Sequence, residues 1–282
     1  MKREEIIEKG LFITASFSAF VVFLIIYYLM RNGIHVLTFD VIFGMDWVPA
    51  DDKFGIFPII ISNFEVAILS LVLATLIGVP TAIFLSEYSP FWLRNILKPV
   101  IEVIVGIPSV VIGFWGLTVL VPVMRRVFPS SQGQSMLTGG IVLAFMILPT
   151  LISLAEDSMR AVPRSYREAS LALGATRWQT TSQVIVPTAS SGIRAAMILA
   201  MGRAMGETMA ALMVIGNPYR PEITLNPLDI VRTLPTTIAL EFSYTEYFST
   251  HYYALFAMGV VLFFSVLVLN LGATFLSQRE KR

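Results

Sequence analysis

This chain of 282 residues contains no cysteine. Disulfides, thiolate metal sites and thiol nucleophiles are excluded together. Histidine is almost as scarce: His35 and His251 lie far apart in predicted loops, so no metal site is expected. Only 14 % of the residues are charged, against about a quarter in a soluble domain. No G-x-x-x-x-G-K-[ST] phosphate loop occurs, so the chain itself is not expected to hydrolyse ATP. The absence of H-E-x-x-H and G-x-S-x-G leaves no support for a membrane hydrolase, and no catalytic residue is assigned. What is present in excess is apolar: 56 % hydrophobic residues and a mean hydropathy of +0.75 describe an integral membrane protein.

A bilayer core of about 30 Å needs about 20 apolar residues per helix. Windows of that kind fall near 10–30, 59–85, 99–123, 137–155, 188–216 and 253–276, predicting an all-α protein of six transmembrane helices. The N-terminus, with Glu4, Glu5 and Glu8 ahead of a long apolar run, reads as a retained first span. No repeat or soluble domain interrupts residues 1–282, so one membrane domain is expected.

Lysine and arginine set the orientation. Lys2, Arg3, Lys9, Arg94, Lys98, Arg160, Arg164, Arg167, Arg177, Arg279, Lys281 and Arg282 fall on one side. Arg31, Lys53, Arg125, Arg126, Arg220 and Arg232 fall on the other. The twofold bias predicts a multi-pass protein of the cell membrane with both termini, and the loop between the fourth and fifth spans, in the cytoplasm.

That loop, 163–187, is a polar island with folding signals of its own. Ser165 and Glu168 have the spacing of a capping box, and Thr176 and Gln179 repeat it. Gly174 suits the left-handed residue past a helix end, and Pro187 closes the unit. A helical hairpin is predicted. Tyr166, Ala169, Ser170 and Leu173 form one stripe of its first helix, with Arg167 and Arg177 flanking. An amphipathic hairpin resting on lipid headgroups is the plainer reading. A DNA-binding helix-turn-helix is too short, too neutral and too tethered here, so no nucleic acid is expected.

The second feature is Gly202-Arg203-Ala204-Met205-Gly206-Glu207 in the fifth span. A charge at mid-bilayer costs about 2.5–3.5 kcal/mol on insertion scales, so it normally faces a cavity or partner. A continuous helix brings Arg203 and Glu207 to one face, and Gly202 and Gly206 to an adjoining helix-packing stripe. An arginine fork fits a tetrahedral oxyanion, and a carboxylate beside it can accept a hydrogen bond from a protonated phosphate oxygen. A buried ion pair that only locks packing is the bland alternative.

Two sets of residues resemble a known family. Glu168-Ala169-Ser170, then Gly174, then Val184-Ile185-Val186-Pro187 resembles the EAA loop of ABC importer permeases, with Ser170, Val184 and Val186 as mild departures. Arg203 to Ala210, Gly216-Asn217, Pro108 to Gly116 and Arg160-Ala161-Val162-Pro163 look like PstC-type phosphate permeases. The resemblance implies a MetI-like type I importer fold, its core over about 59–276. It implies that Tyr166, Arg167, Glu168, Ala169, Ser170, Leu173 and Gly174 form the element that couples to a separate ATPase. It also implies a phosphate pathway at Arg203 and Glu207. The partners it implies are a homologous PstA-type permease, a dimeric PstB-type ATPase that binds ATP and magnesium, and an external phosphate-binding protein; this chain would hold no cofactor or metal. Another tetrahedral oxyanion such as molybdate, tungstate or sulfate, and a membrane sensor recruiting a cytoplasmic partner, are the alternatives.

Overall fold

The computed structural model describes the backbone of residues 2–279 and the side chains of residues 7–272. Lys281 and Arg282, counted in the charge bias, lie outside the described residues. The long helices are α1 (Lys2–Gly33), α3 (Phe57–Ile83), α7 (Met136–Arg160), α11 (Ser190–Met205) and α14 (Thr250–Arg279). Shorter ones lie between them: α2 (Phe39–Phe43), α4 (Phe91–Val105), α5 (Ser109–Trp115), α6 (Val121–Val127), α8 (Arg164–Ala172), α9 (Arg177–Thr180), α10 (Val186–Thr188), α12 (Met209–Val214) and α13 (Leu234–Glu241). A two-stranded antiparallel ribbon pairs β1 (Trp47–Val48) with β2 (Lys53–Phe54).

Among the described residues, five helical stretches are long and apolar enough to cross a bilayer, and a sixth crossing results if the bent pair 177–188 and 190–205 is one span. The expected six-span layout therefore holds, but two spans are not single helices. The window 99–123 is divided between α4 and α5 by a break at Gly106-Ile107-Pro108, and the crossing stretch is Ser109–Val127. Proline has no N–H for an α-helical bond and disfavours a helical residue before it, which explains the break. The window 188–216 stops at Met205 and resumes as α12 at Met209.

Helix α7 is the axis of the bundle. In its most apolar stretch 61 % of residues are buried, against 28 % in α3 and α14 and none in α1. Between helices in lipid, attraction comes from close packing rather than from expelling water. The contacts accordingly run through small residues. A Cβ on Gly113 of α5 would sit 2.8 Å from the Ala210 Cα of α12, so these two helices meet backbone to backbone. Helix α1 leans on α14 through Tyr28, whose hydroxyl is 3.3 Å from that of Tyr252, and through its edge-on contact with Phe256. Phe12, Phe17, Phe20 and Phe23 of α1 point outward, a surface that only lipid or another apolar chain can cover.

Candidate functional sites: the coupling hairpin and the Arg203 break

The hairpin forms as α8, a glycine turn and a second helical arm from Arg177 to Thr188, after which the chain bends by 65° into α11. Pro187 therefore does not end the arm; the bend comes two residues later, at Ala189. Gly174 adopts φ +84°, and two hydrogen bonds close the α8 end around it. The Gly174 N–H donates to Leu171 O (3.0 Å) and the Ala175 N–H to Ser170 O (3.3 Å). This double closure is the Schellman motif. Nothing lies within 4 Å of a Cβ placed on Gly174, so its role is purely conformational. Gly174→Ala should cost the hairpin about 1 kcal/mol. The expected result is faster amide hydrogen exchange over 164–180, with exchange in α7 unchanged.

The second capping box is present: the Thr176 N–H donates to Gln179 Oε1 (2.8 Å) and the Gln179 N–H to Thr176 Oγ1 (3.2 Å). The first is not. Helix α8 starts at Arg164 with Pro163 as its unassisted cap, so Ser165 lies inside the first turn and has no capping position. Proline pre-sets its own φ and disfavours a helical residue before it, and that overrides the serine signal. Glu168 is thereby released from the capping duty. It is exposed, and no hydrogen bond or ion pair holds its carboxylate among the described residues.

The predicted coupling residues divide into two groups. Tyr166, Glu168, Ala169 and Leu173 face outward, Leu173 with 90 % of its surface exposed. Leu171 and Trp178 extend this apolar crown. Arg167, Ser170 and Gly174 hold the hairpin together instead. The Ser170 hydroxyl meets that of Thr180 on the other arm at 2.9 Å. Arg167 turns inward: its Nε and Nη2 donate to the two oxygens of Glu87 (3.1 and 2.7 Å), and it also donates to Val162 O and Met159 O. Arg177 donates to Glu87 O and lies over the Tyr88 ring at 4.9 Å. The hairpin is thus clamped to the end of the second span. Breaking one side of a buried, hydrogen-bonded pair is strongly destabilising. Arg167→Ala should leave Glu87 half-buried and unpaired and loosen the hairpin. The chain is expected to become sensitive to limited proteolysis at 164–178, while Arg164→Ala does not.

A second buried carboxylate stands nearby. Glu156, only 1 % exposed, receives Arg94 (2.8 Å) and Lys98 (2.8 Å), and Lys98 also pairs with Asp157 (2.5 Å). Burial opposes the charge on Lys98, but its hydrogen bonds to Asp157 and Glu156 outweigh this and raise its pKa. These contacts tie α4 to the hairpin end of α7.

The other feature is the break after α11. The helix ends at Met205, so Glu207 lies beyond it and the expected i,i+4 face does not exist. Arg203 is part-buried and its Nη1 donates to Thr150 Oγ1 on α7 (2.9 Å). No ion pair joins Arg203 to Glu207 among the described residues. The glycines separate likewise. Gly202 is buried against Val266 and Asn270 of α14, with a Cβ position 3.6 and 3.5 Å from them, whereas Gly206 is exposed and meets only its own helix end. Two poor helix formers flank Glu207, Gly206 before it and the β-branched Thr208 after it, and they weaken helix continuity here.

Sequence reading missed a third cluster, at the end opposite the hairpin. Glu241, buried on α13, accepts from Trp47 Nε1 (3.1 Å) and from Arg232, and its Oε2 lies 2.7 Å from His251 Nε2. His251 sits in the first turn of α14, not in a loop. These partners are far apart in sequence, so no local pattern announces them. No group of His, Cys, Asp and Glu able to hold a metal occurs among the described residues.

The chain thus carries a helical hairpin rooted in a membrane bundle with broken spans. The profile of the binding-protein-dependent transport system inner membrane component family matches residues 74–282, and the chain belongs to that family. It is a permease subunit, a transport component and not an enzyme. Among its relatives it is 45 % identical, over 89 % of this chain and 80 % of the other, to the probable ABC transporter permease protein YqgH of Bacillus subtilis. It is 33 % identical, over 85 % of this chain and 79 % of the other, to the phosphate transport system permease protein PstC of Xylella fastidiosa strain Temecula1. The PstC resemblance read from Arg203–Ala210 and Pro108–Gly116 is borne out. Solved structures share the fold at low identity. An inward-facing MetNI methionine ABC transporter matches with a TM-score of 0.61 and 18 % identity, over 78 % of this chain and 94 % of that one. A bacterial alginate ABC transporter matches with a TM-score of 0.66 and 14 % identity, over 100 % of this chain and 96 % of that one.

Proposed function

We propose that this permease forms half of the pathway of an ATP-driven phosphate importer. The observation that carries the cargo assignment is Arg203: a guanidinium in the last turn of α11, steadied by Thr150 of α7 and without a carboxylate partner among the described residues. It sits in a chain whose relatives include proteins named PstC. An unneutralised arginine fork suits an oxyanion. Glu207, free of Arg203, is available to accept a hydrogen bond from a protonated phosphate oxygen, which a sulfate dianion lacks. Molybdate, tungstate and sulfate remain the competing cargoes.

The energy enters from a partner. A dimeric ATPase, binding ATP and magnesium, would seat the exposed Tyr166, Glu168, Ala169 and Leu173 in a groove, with the hairpin end and both termini on the cytoplasmic side. A homologous permease and an external phosphate-binding protein complete the assembly. Movement of α8 reaches three crossing segments through physical links: α7 through the Pro163 corner, α11 through the arm ending at the 65° bend, and α3 through the Arg167–Glu87 clamp. Those three segments share one core, with Leu151, Ala155, Ala74 and Ala200 fully buried in it, so they shift as packed elements rather than deforming individually.

Radiolabelled phosphate uptake into vesicles holding the co-purified complex tests the assignment, with sulfate and molybdate as competitors. ATP-dependent uptake resisted by neither competitor at equal concentration supports phosphate. Displacement by molybdate at lower concentration reassigns the cargo. Recruitment of a partner without ATPase activity, and no uptake, would leave a sensor.

A further inference from the structure

Beside the root of the hairpin lies an open pocket of about 440 Å³, between the end of the second span, the start of α4 and the corner joining α7 to α8. Four arginines line it: Arg94, Arg160, Arg164 and Arg167. Two are already engaged, Arg94 with Glu156 and Arg167 with Glu87. The other two are less committed. Arg160 shares Glu156 in a loose ion pair at 3.7 Å and keeps 45 % of its side chain exposed. Arg164 has no ion pair among the described residues, and it is exposed. One carboxylate, Glu168, shares the rim. The buried acids behind the wall are satisfied by Arg94, Lys98 and Arg167, so the open guanidinium forks are in excess over open acids.

One wall of the pocket is apolar, beside the polar Ser86 and Ser89. Phe91 lines it with 78 % of its surface exposed, and Trp92 beside it is 64 % exposed. From Trp92 an exposed stripe continues along one face of α4 through Ile96, Val100 and Val103. An anion site that opens onto an apolar stripe has the chemistry of a phospholipid: phosphate oxygens for the guanidinium forks, acyl chains for the stripe.

We propose that this pocket binds the phosphate of an anionic phospholipid headgroup, bridging Arg160 at the end of α7 and Arg164 at the start of α8. A headgroup there steadies the corner on which the hairpin turns, and so makes hairpin movement dependent on the surrounding lipid. The inference is independent of which anion the permease carries. Inorganic phosphate shares the headgroup chemistry but not the fit to the apolar stripe.

The test uses the purified full-length chain, delipidated and titrated with phosphatidylglycerol or phosphatidylcholine, and counts retained lipid by native mass spectrometry. Each arginine beside an anionic headgroup contributes roughly a fivefold gain in retention, so R160Q/R164Q should lower phosphatidylglycerol retention by about 25-fold. R160K/R164K should keep most of it, and phosphatidylcholine should be retained weakly by all three proteins. Equal phosphatidylglycerol retention by the wild-type chain and the glutamine variant overturns the proposal, as does equal retention of the two lipids. Displacement of phosphatidylglycerol by millimolar inorganic phosphate assigns the pocket to the free ion and overturns the lipid reading. Arg164 is exposed and in no ion pair among the described residues, so R164Q alone, with a loss of about fivefold, carries the test if the double variant does not fold.

Discussion

Replacing Arg203 with Gln is expected to lower phosphate uptake by about one to two orders of magnitude, the worth of hydrogen bonds to a charged ligand. Assembly with partner subunits should be unaffected, because Arg203 makes one described side-chain contact, with Thr150, and Gln retains a donor of similar reach. Thr150→Val leaves the charge and removes its anchor. Uptake should fall less, about threefold to tenfold, because the guanidinium remains but its orientation is no longer set. The ordering of the two variants separates roles. If Thr150→Val is as damaging as Arg203→Gln, the pair acts through packing between α7 and α11. Near-normal uptake in Arg203→Gln removes the residue from the pathway.

The largest expected effect on stability comes from Glu241→Gln. The carboxylate is buried among Trp47, Arg232 and His251, and its loss leaves the Arg232 guanidinium, 5 % exposed, without a counter-charge. Removing one partner of a buried ion pair costs about 3–5 kcal/mol. Unfolding of the purified protein should shift to markedly lower temperature, while Glu246→Gln at an exposed position should not shift it. The same group predicts an acid response. Burial pushes the Glu241 pKa up, but the hydrogen bond with His251, the charge of Arg232 and the Trp47 hydrogen bond outweigh it and hold the pKa below 4.5. A carboxyl depressed in the folded state binds fewer protons folded than unfolded. Its contribution is therefore complete above about pH 4.5 and is lost as pH falls through the lower folded value. Melting curves from pH 7 down to about pH 3 should show the wild-type protein losing stability below about pH 4.5, with a shallower loss in Glu241→Gln.

Features carried by neighbouring residues were legible before any coordinates. The apolar windows place the crossings, Gly174 marks the hairpin turn, and Thr176 and Gln179 cap the second arm. Each depends on interactions within about four residues, where backbone geometry alone decides which atoms can meet. Local patterns misled where two of them competed. Pro163 took the cap position from Ser165. The break at Gly206 removed the helix face on which Arg203 was expected to meet Glu207.

The order of residues along the chain settles the membrane character, the crossings and the hairpin, since hydropathy and the hairpin grammar are local. Tertiary structure alone decides which charge meets which. Arg167 reaches Glu87, Lys98 reaches Glu156, Trp47 reaches Glu241 and Arg203 reaches Thr150, across separations of 53 to 194 residues. A charge in a low-dielectric interior must find a partner or a cavity, but sequence does not say which helix brings it. That choice follows from how the helices pack, and it turned Arg167 from a docking residue into the clamp that ties the hairpin to the bundle.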